Sequence, residues 1–375
     1  AIILELLSCG GFLVQGVEPT GPCANCKAVF YSGLNGSKCF RIPTIIKTHF
    51  GTLLAFAENR ISGCSDDHTA NVAVQRFHDI VVRRSHDLGQ TWGPLVTVRH
   101  GTAPCQGCPA AISNPNPVEV KFPDGSYKVL LHYDTMNNPS PSKHGFDMQI
   151  WSGDDGTTWE NASLLSFPPV VNRGGMIGPS VGLQGASGNI YFSARQVHGV
   201  EPVGVFLYWS RDYGKTWTPS QLISSISSET SIAWLHNSSD ERVIMNIRTG
   251  YSRSQVIFDK DRKPGPVTHP AGLIDPNCQG SLINHAGVLY ISNANTTKSR
   301  SHMTVKSSMD QGTTWSHGVS VWTGPSGYSQ LVGLRDTSKL GLLFEAGHKS
   351  PYETISWIVL DVSPTSKVAA DEMLS

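Results

Sequence analysis

An excess of charge of either sign is missing. The 375 residues carry 29 Lys and Arg against 29 Asp and Glu, a formal net charge of zero, so no global field draws the chain to nucleic acid or to an anionic membrane. An anionic ligand must instead be held by a local cluster of arginines. Long apolar runs are missing as well. The stretch Ala1 to Val14 is interrupted by Glu5 and has no basic flank. It is too short for a transmembrane segment and incomplete as a signal peptide, which leaves an early strand, a leader remnant or appended sequence. Histidines at metal-ligand spacing are also missing. His132, His198, His269 and His285 stand in no His-x-x-x-His or Glu-paired pattern, and they read as core or surface side chains. No cofactor and no metal is called for.

What is abundant is turn chemistry. Thirty-seven glycines, 23 prolines and nine tryptophans, with only 15% charged residues, favour a compact all-β chain of short strands and tight turns over long helices. Eight cysteines include two Cys-x-x-Cys pairs, Cys23 with Cys26 and Cys105 with Cys108. That spacing suits disulfides, idle thiols or a tetrahedral zinc, but no βαβ context supports a redox motif. Sequons at Asn35, Asn161, Asn237 and Asn295 are compatible with secretion without establishing it.

One octapeptide recurs. SHDLGQTW from Ser85, SGDDGTTW from Ser152, SRDYGKTW from Ser210 and SMDQGTTW from Ser308 all obey Ser-x-Asp-x-Gly-x-Thr-Trp, and each follows a strand-like segment. The Asp can accept backbone N–H bonds, Gly can supply a positive φ, and Trp can pack beneath the strands. A decayed copy near Asp259 to Gly265 fills the widest gap. The repeat is then roughly 50 to 65 residues, enough for a four-stranded blade. The expectation is a six-bladed β-propeller over 31–365, with 1–30 an N-terminal segment or first strand and 366–375 a tail. The sixth blade would draw strands from both chain ends.

Outside the boxes, Phe40-Arg41-Ile42-Pro43 precedes a strand, and Arg60 ends the next one, Gly51 to Arg60. Together with the boxes, this motif resembles the sialidase family from about Phe40 to Leu360. The resemblance implies an exo-sialidase that removes terminal sialic acids, N-acetylneuraminic or deaminated Kdn-type, from glycoconjugates and releases free sialic acid. It implies a carboxylate clamp of three arginines, matched here by Arg41, by Arg248 in Met245-Asn-Ile-Arg248, and by Arg300 after Ile291-Ser-Asn293. Forked, charge-assisted bonds suit a planar anion, although Arg300 also reads as a solvated turn residue.

An anionic nucleophile would be repelled by the substrate carboxylate, whereas a tyrosine hydroxyl approaches neutral. Gly324-Pro-Ser-Gly-Tyr328 matches the family's nucleophile loop. Ser228-Glu229-Thr230 occupies the place of the base, despite an insertion around His236 to Glu241 and the alternative of a surface carboxylate. Asp66, in Ser65-Asp-Asp-His68, matches the acid, with its neighbour Asp67 the alternative. Arg60 matches a residue that contacts a ring hydroxyl, and Glu345 matches the carboxylate that braces the first arginine. Loops such as Asn114 to Pro117 and Asp134 to Asn138 are candidates for lining the pocket at C5. The resemblance further suggests a secreted or lumenal, lysosome-like location and a monomer. Transfer of the sugar to an acceptor, intramolecular transfer, and silent sugar binding are the rival activities.

Overall fold

The computed structural model describes residues 20–61, 63–65, 78–101, 109–137, 147–167, 176–198, 201–226 and 228–362. These form antiparallel sheets laid out in chain order. The first contains Cys39–Lys47, Leu53–Arg60, Asp79–Ser85 and Val96–Arg99, and the second Pro109–Lys121, Tyr127–Asn137, Asp147–Ser152 and Ser163–Leu164. A third is built on Ile190–His198 and Glu201–Ser210. The fourth runs Thr230–Trp234, Val243–Arg248, Tyr251–Phe258 and Ile274–Asp275. The last sheet has seven strands, from Ser281–His285 through Val319–Gly333, Lys339–Ala346 and Thr354–Asp361 to Lys27–Tyr31.

Both faces of these sheets are apolar because each is sandwiched between its neighbours. Every residue of Leu53–Arg60 is buried, and its first five, Leu53 to Ala57, form a continuous apolar run instead of an alternation. Leu54 and Phe56 pack on Leu131 and Ile150 of the second sheet, and Phe192 and Tyr208 pack on Val120 and Leu130. The same stacking continues around the chain until Phe30, Leu343, Ile355 and Trp357 meet Leu53, Ala55 and Trp92. The last sheet thus packs on the first, and the layers close into a propeller-like ring.

The four boxes perform the turn chemistry that their sequence suggests. Ser85 Oγ accepts the Gly89 N–H at 2.8 Å, and Asp87 Oδ1 accepts the Thr91 N–H at 2.9 Å. The bonds recur at Asp154, Asp212 and Asp310. The decayed copy retains one of them, from the Lys263 N–H to Asp259 Oδ1 at 2.9 Å. Beyond the turn itself, the box glycine abuts the preceding sheet: Gly156 lies against Leu54, Gly214 against Trp151, and Gly312 against Ile244. Gly89, which has no earlier sheet, lies against Trp357 of the closing strand.

Six discrete sheets were expected, and the hydrogen bonding differs. The 15-residue strand Val319–Gly333 pairs through its first half with Ser301–Ser308 and through its second half with Lys339–Ala346. One long strand with a register shift therefore joins what would be two blades. Among the described residues two cysteine pairs form disulfides, Cys23 with Cys26 and Cys39 with Cys64, and Cys278 is free and buried. Cys105 and Cys108 lie outside the described residues.

Ring closure is testable at Gly89. Its φ is +84° and an added Cβ would meet the Trp357 indole, whereas Gly125 has a φ of +86° and open space around it. Gly125→Ala should cost about 1 to 2 kcal/mol of backbone strain. Gly89→Ala should cost about 1 to 3 kcal/mol more for overpacking, read as the difference between their denaturation midpoints.

Candidate active site

The site begins at a kink. Register between Cys39–Lys47 and Leu53–Arg60 shifts between Arg41 and Thr44, and Ile42 adopts a φ of 59°. A β-branched residue in this region is strained, and Pro43 supplies no N–H to the ladder. Glu345, fully buried on Lys339–Ala346, holds the kink in place. Its Oε1 accepts Arg41 Nε at 3.0 Å and the Ile42 N–H at 3.1 Å, and its Oε2 accepts the Tyr328 N–H at 3.0 Å. A Cβ on Gly327 would strike that same carboxylate. The glycine before Tyr328 is thus there to admit Glu345.

Tyr328 places its hydroxyl on Glu229 Oε1, to which it donates. Arg248 Nη1 lies 2.6 Å from Glu229 Oε2 and 3.1 Å from the Tyr328 oxygen. The insertion between Glu229 and Arg248 does not disturb this contact. Thr230 pairs with Ile247, and the Arg248 N–H reaches the Glu229 carbonyl at 3.0 Å, while the extra residues form the loop at the other end of the hairpin. The guanidinium carbons of Arg41 and Arg300 stand 5.1 and 5.4 Å from the Tyr328 ring centroid. Three arginines, a carboxylate and a phenol from distant parts of the chain therefore share one cleft.

Burial, and then the nearby Glu229 charge, push the Tyr328 hydroxyl well above the usual phenol range, so the phenol is neutral at rest. Burial disfavours the Arg248 charge, but the favourable interactions around it, led by the Glu229 carboxylate, together outweigh that and raise the Arg248 pKa. The arrangement can hold a small anion against arginines and present a neutral oxygen nucleophile with a base already attached to its proton.

The BNR repeat-like domain family matches residues 52–342, and a sialidase from Micromonospora viridifaciens is 28% identical over 360 residues, 87% of this chain and 53% of that protein. This chain belongs to the sialidase family of BNR, or Asp-box, proteins. A sialidase from Bacteroides fragilis is 27% identical over 353 residues, covering 85% of this chain and 62% of that one. The chain thus spans between about half and two thirds of the length of these relatives. Among solved structures, Hadza microbial sialidase Hz136 superposes with a TM-score of 0.75 at 24% identity, over 90% of this chain and 68% of that one.

Of the residues that the sequence of this sialidase-family chain singles out, Arg41, Arg248, Arg300, Glu229, Tyr328 and Glu345 come together. Arg60 is held by a separate set of partners. Its Nε and Nη2 lie 2.8 and 2.7 Å from Glu58 Oε2, and its Nη1 binds the Cys64 and Ser65 carbonyls at 2.9 and 3.1 Å. Asp66 and Asp67 lie outside the described residues. Asn114 and Asp134, candidates for the C5 pocket, bond to each other at 2.9 Å, and the Asn114 N–H reaches Glu58 at 2.9 Å. His132 is buried against Phe192, and His269 bonds Ser254. Among the described residues no three potential ligands gather as a metal site.

Sequence reasoning missed Glu58, Asn277 and Tyr352. Glu58 was findable, because positions 58 and 60 of one strand share a face. Asn277 and Tyr352 carry no motif.

Glu345 gives a direct test of the site's architecture. Glu345→Ala leaves Arg41, which is 2% exposed, without its buried carboxylate. The expected loss is about 3 to 5 kcal/mol, read as a lowered denaturation midpoint together with lost activity.

Proposed function

We propose that this chain is a retaining exo-sialidase that releases terminal α-ketosidically linked sialic acids, of N-acetylneuraminic or Kdn type, from glycoconjugates. The observation that carries this reading is the Tyr328 hydroxyl bonded to Glu229 with Arg41, Arg248 and Arg300 around it. A ketosidic acid has a carboxylate on its anomeric carbon. Arginines bind that carboxylate, and a carboxylate nucleophile would be repelled by it.

In the first step Tyr328 Oη attacks the anomeric carbon as its proton passes to Glu229. The bond to the aglycone oxygen breaks, and Asp66 protonates that oxygen. Water, deprotonated by Asp66, then attacks the same carbon. The tyrosyl bond breaks and Glu229 returns the proton to Tyr328. Two inversions give retention. Arg248, 3.1 Å from the phenol oxygen, stabilises the negative charge that develops there.

The wider reading is a six-bladed propeller acting as a monomer. The seven-stranded sheet supports the six blades, because the two halves of that sheet face one another across Tyr290, Met303, Leu331, Leu342 and Phe344. Two disulfides favour a secreted or lumenal setting. No helix among the described residues is long and apolar enough to cross a membrane.

With a sialoside substrate, Tyr328→Phe should lower kcat by roughly 10³-fold or more while ligand binding changes little. NMR of the product should show the α-anomer first. Parent-like turnover by Tyr328→Phe, or first release of the β-anomer, contradicts the reading.

A further inference from the structure

The clamp arginines are not held alike. Arg41 is paired with Glu345 and Arg248 with Glu229. Among the described residues Arg300 has no carboxylate partner. Its Nη1 donates to the Tyr352 hydroxyl at 3.0 Å and its Nη2 to the Asn277 carbonyl at 3.3 Å. Both partners are neutral oxygens, and each also touches a second clamp arginine. Asn277 Oδ1 accepts Arg248 Nε at 2.8 Å, and the Tyr352 ring lies 4.3 Å from the Arg41 guanidinium carbon. Asn277 thus links Arg248 to Arg300, and Tyr352 links Arg300 to Arg41.

Both linkers sit on fixed supports. Asn277 has a φ of 60°, in a turn stapled from below. Asp275 Oδ1 accepts the Cys278 N–H at 2.7 Å, and the fully buried Arg253 binds Asp275 Oδ2 at 3.1 Å and the Cys278 carbonyl at 2.8 Å. Arg253 is tied in turn to Asn246, two residues before Arg248 on its strand. The loop before Tyr352 is gathered by Glu353, which accepts the N–H groups of His348, Lys349 and Ser350 at 2.8 to 3.0 Å.

We infer that Asn277 and Tyr352 are positioning residues that aim Arg300, and with it the whole clamp, without neutralising it. A carboxylate in place of the Tyr352 hydroxyl would orient Arg300 as well but would cancel its charge, and one at the Asn277 side chain, which reaches Arg248 Nε while the Asn277 carbonyl holds Arg300, would add a further counter-charge to the clamp. A neutral acceptor fixes the geometry and leaves the bound anion to supply the missing counter-charge. The inference rests on the sialidase reading above.

Asn277→Asp and Tyr352→Phe separate aiming from mere support. Asn277→Asp is isosteric and keeps an acceptor for Arg248, so its melting temperature should hold or rise. Its Kd for the 2,3-unsaturated glycal of N-acetylneuraminic acid should nevertheless weaken by roughly tenfold or more, the scale of one charged hydrogen bond. Tyr352→Phe keeps the ring on Arg41 and should weaken Kd and kcat/KM by a similar factor at unchanged melting temperature. Neither variant should change affinity for the C1 amide of the same glycal. Parent-like affinity in both variants, or equal losses for acid and amide, overturns the inference while the parent's own sialidase activity stands. A parent that neither binds the acid nor releases sialic acid overturns the functional reading and this inference together.

Discussion

Three guanidinium groups crowded around one phenol repel each other. Two unit charges about 4 Å apart at an effective dielectric of about 20 cost about 4 kcal/mol, and much else in the site answers that repulsion. Glu345 lies under Arg41 and Glu229 lies beside Arg248. Each does a second task. Glu345 also fixes the backbone N–H of Tyr328, and Glu229 also takes the Tyr328 hydroxyl. The counter-charges that make the arginines tolerable therefore also position the proposed nucleophile, and one of them is its proposed base. Among the described residues Arg300 is the exception, and its unmatched charge is the feature best suited to attract an acid.

The fold's contribution is convergence. Arg41 and Glu345 are 304 residues apart in sequence, and they meet because the last sheet packs on the first through Trp357 and Trp92. The box glycines register four of the five sheets on a neighbour, and strand ends of the first, fourth and last sheets meet at one centre. Backbone strain is present at the site itself, at the β-branched Ile42, as is common where backbone geometry serves a site. The buried pair Arg253 and Asp275 has no place in the chemistry itself, and it makes sense as the foundation of the turn that presents Asn277.

How much of this could be read beforehand depended on range. The boxes were legible because all their bonds fall within eight residues, and even the decayed copy at Asp259 kept its bond to Lys263. Arg41, Arg248 and Tyr328 were legible through short motifs. Glu229 was legible despite its lengthened spacing, because antiparallel register fixes the strand end and leaves loop length free. The fusion of two expected blades was not legible, since nothing in Val319 to Gly333 announces that one strand serves two partners. Glu58 was overlooked beside Arg60 although alternation puts both on one face. Asn277 and Tyr352 acquire their roles only when separate sheets meet, so no local pattern could mark them.

The central claim is that Tyr328 bonds to the anomeric carbon of a sugar acid held by the arginines. A 2,3-difluorinated sialic acid tests this most directly, because fluorine at C3 slows breakdown of a glycosyl-enzyme while fluoride at C2 departs. After incubation and digestion, mass spectrometry should find the fluorosugar on the peptide that contains Tyr328, and on no peptide of Tyr328→Phe. Label on another residue, or no label from protein that turns over sialosides, would contradict the account.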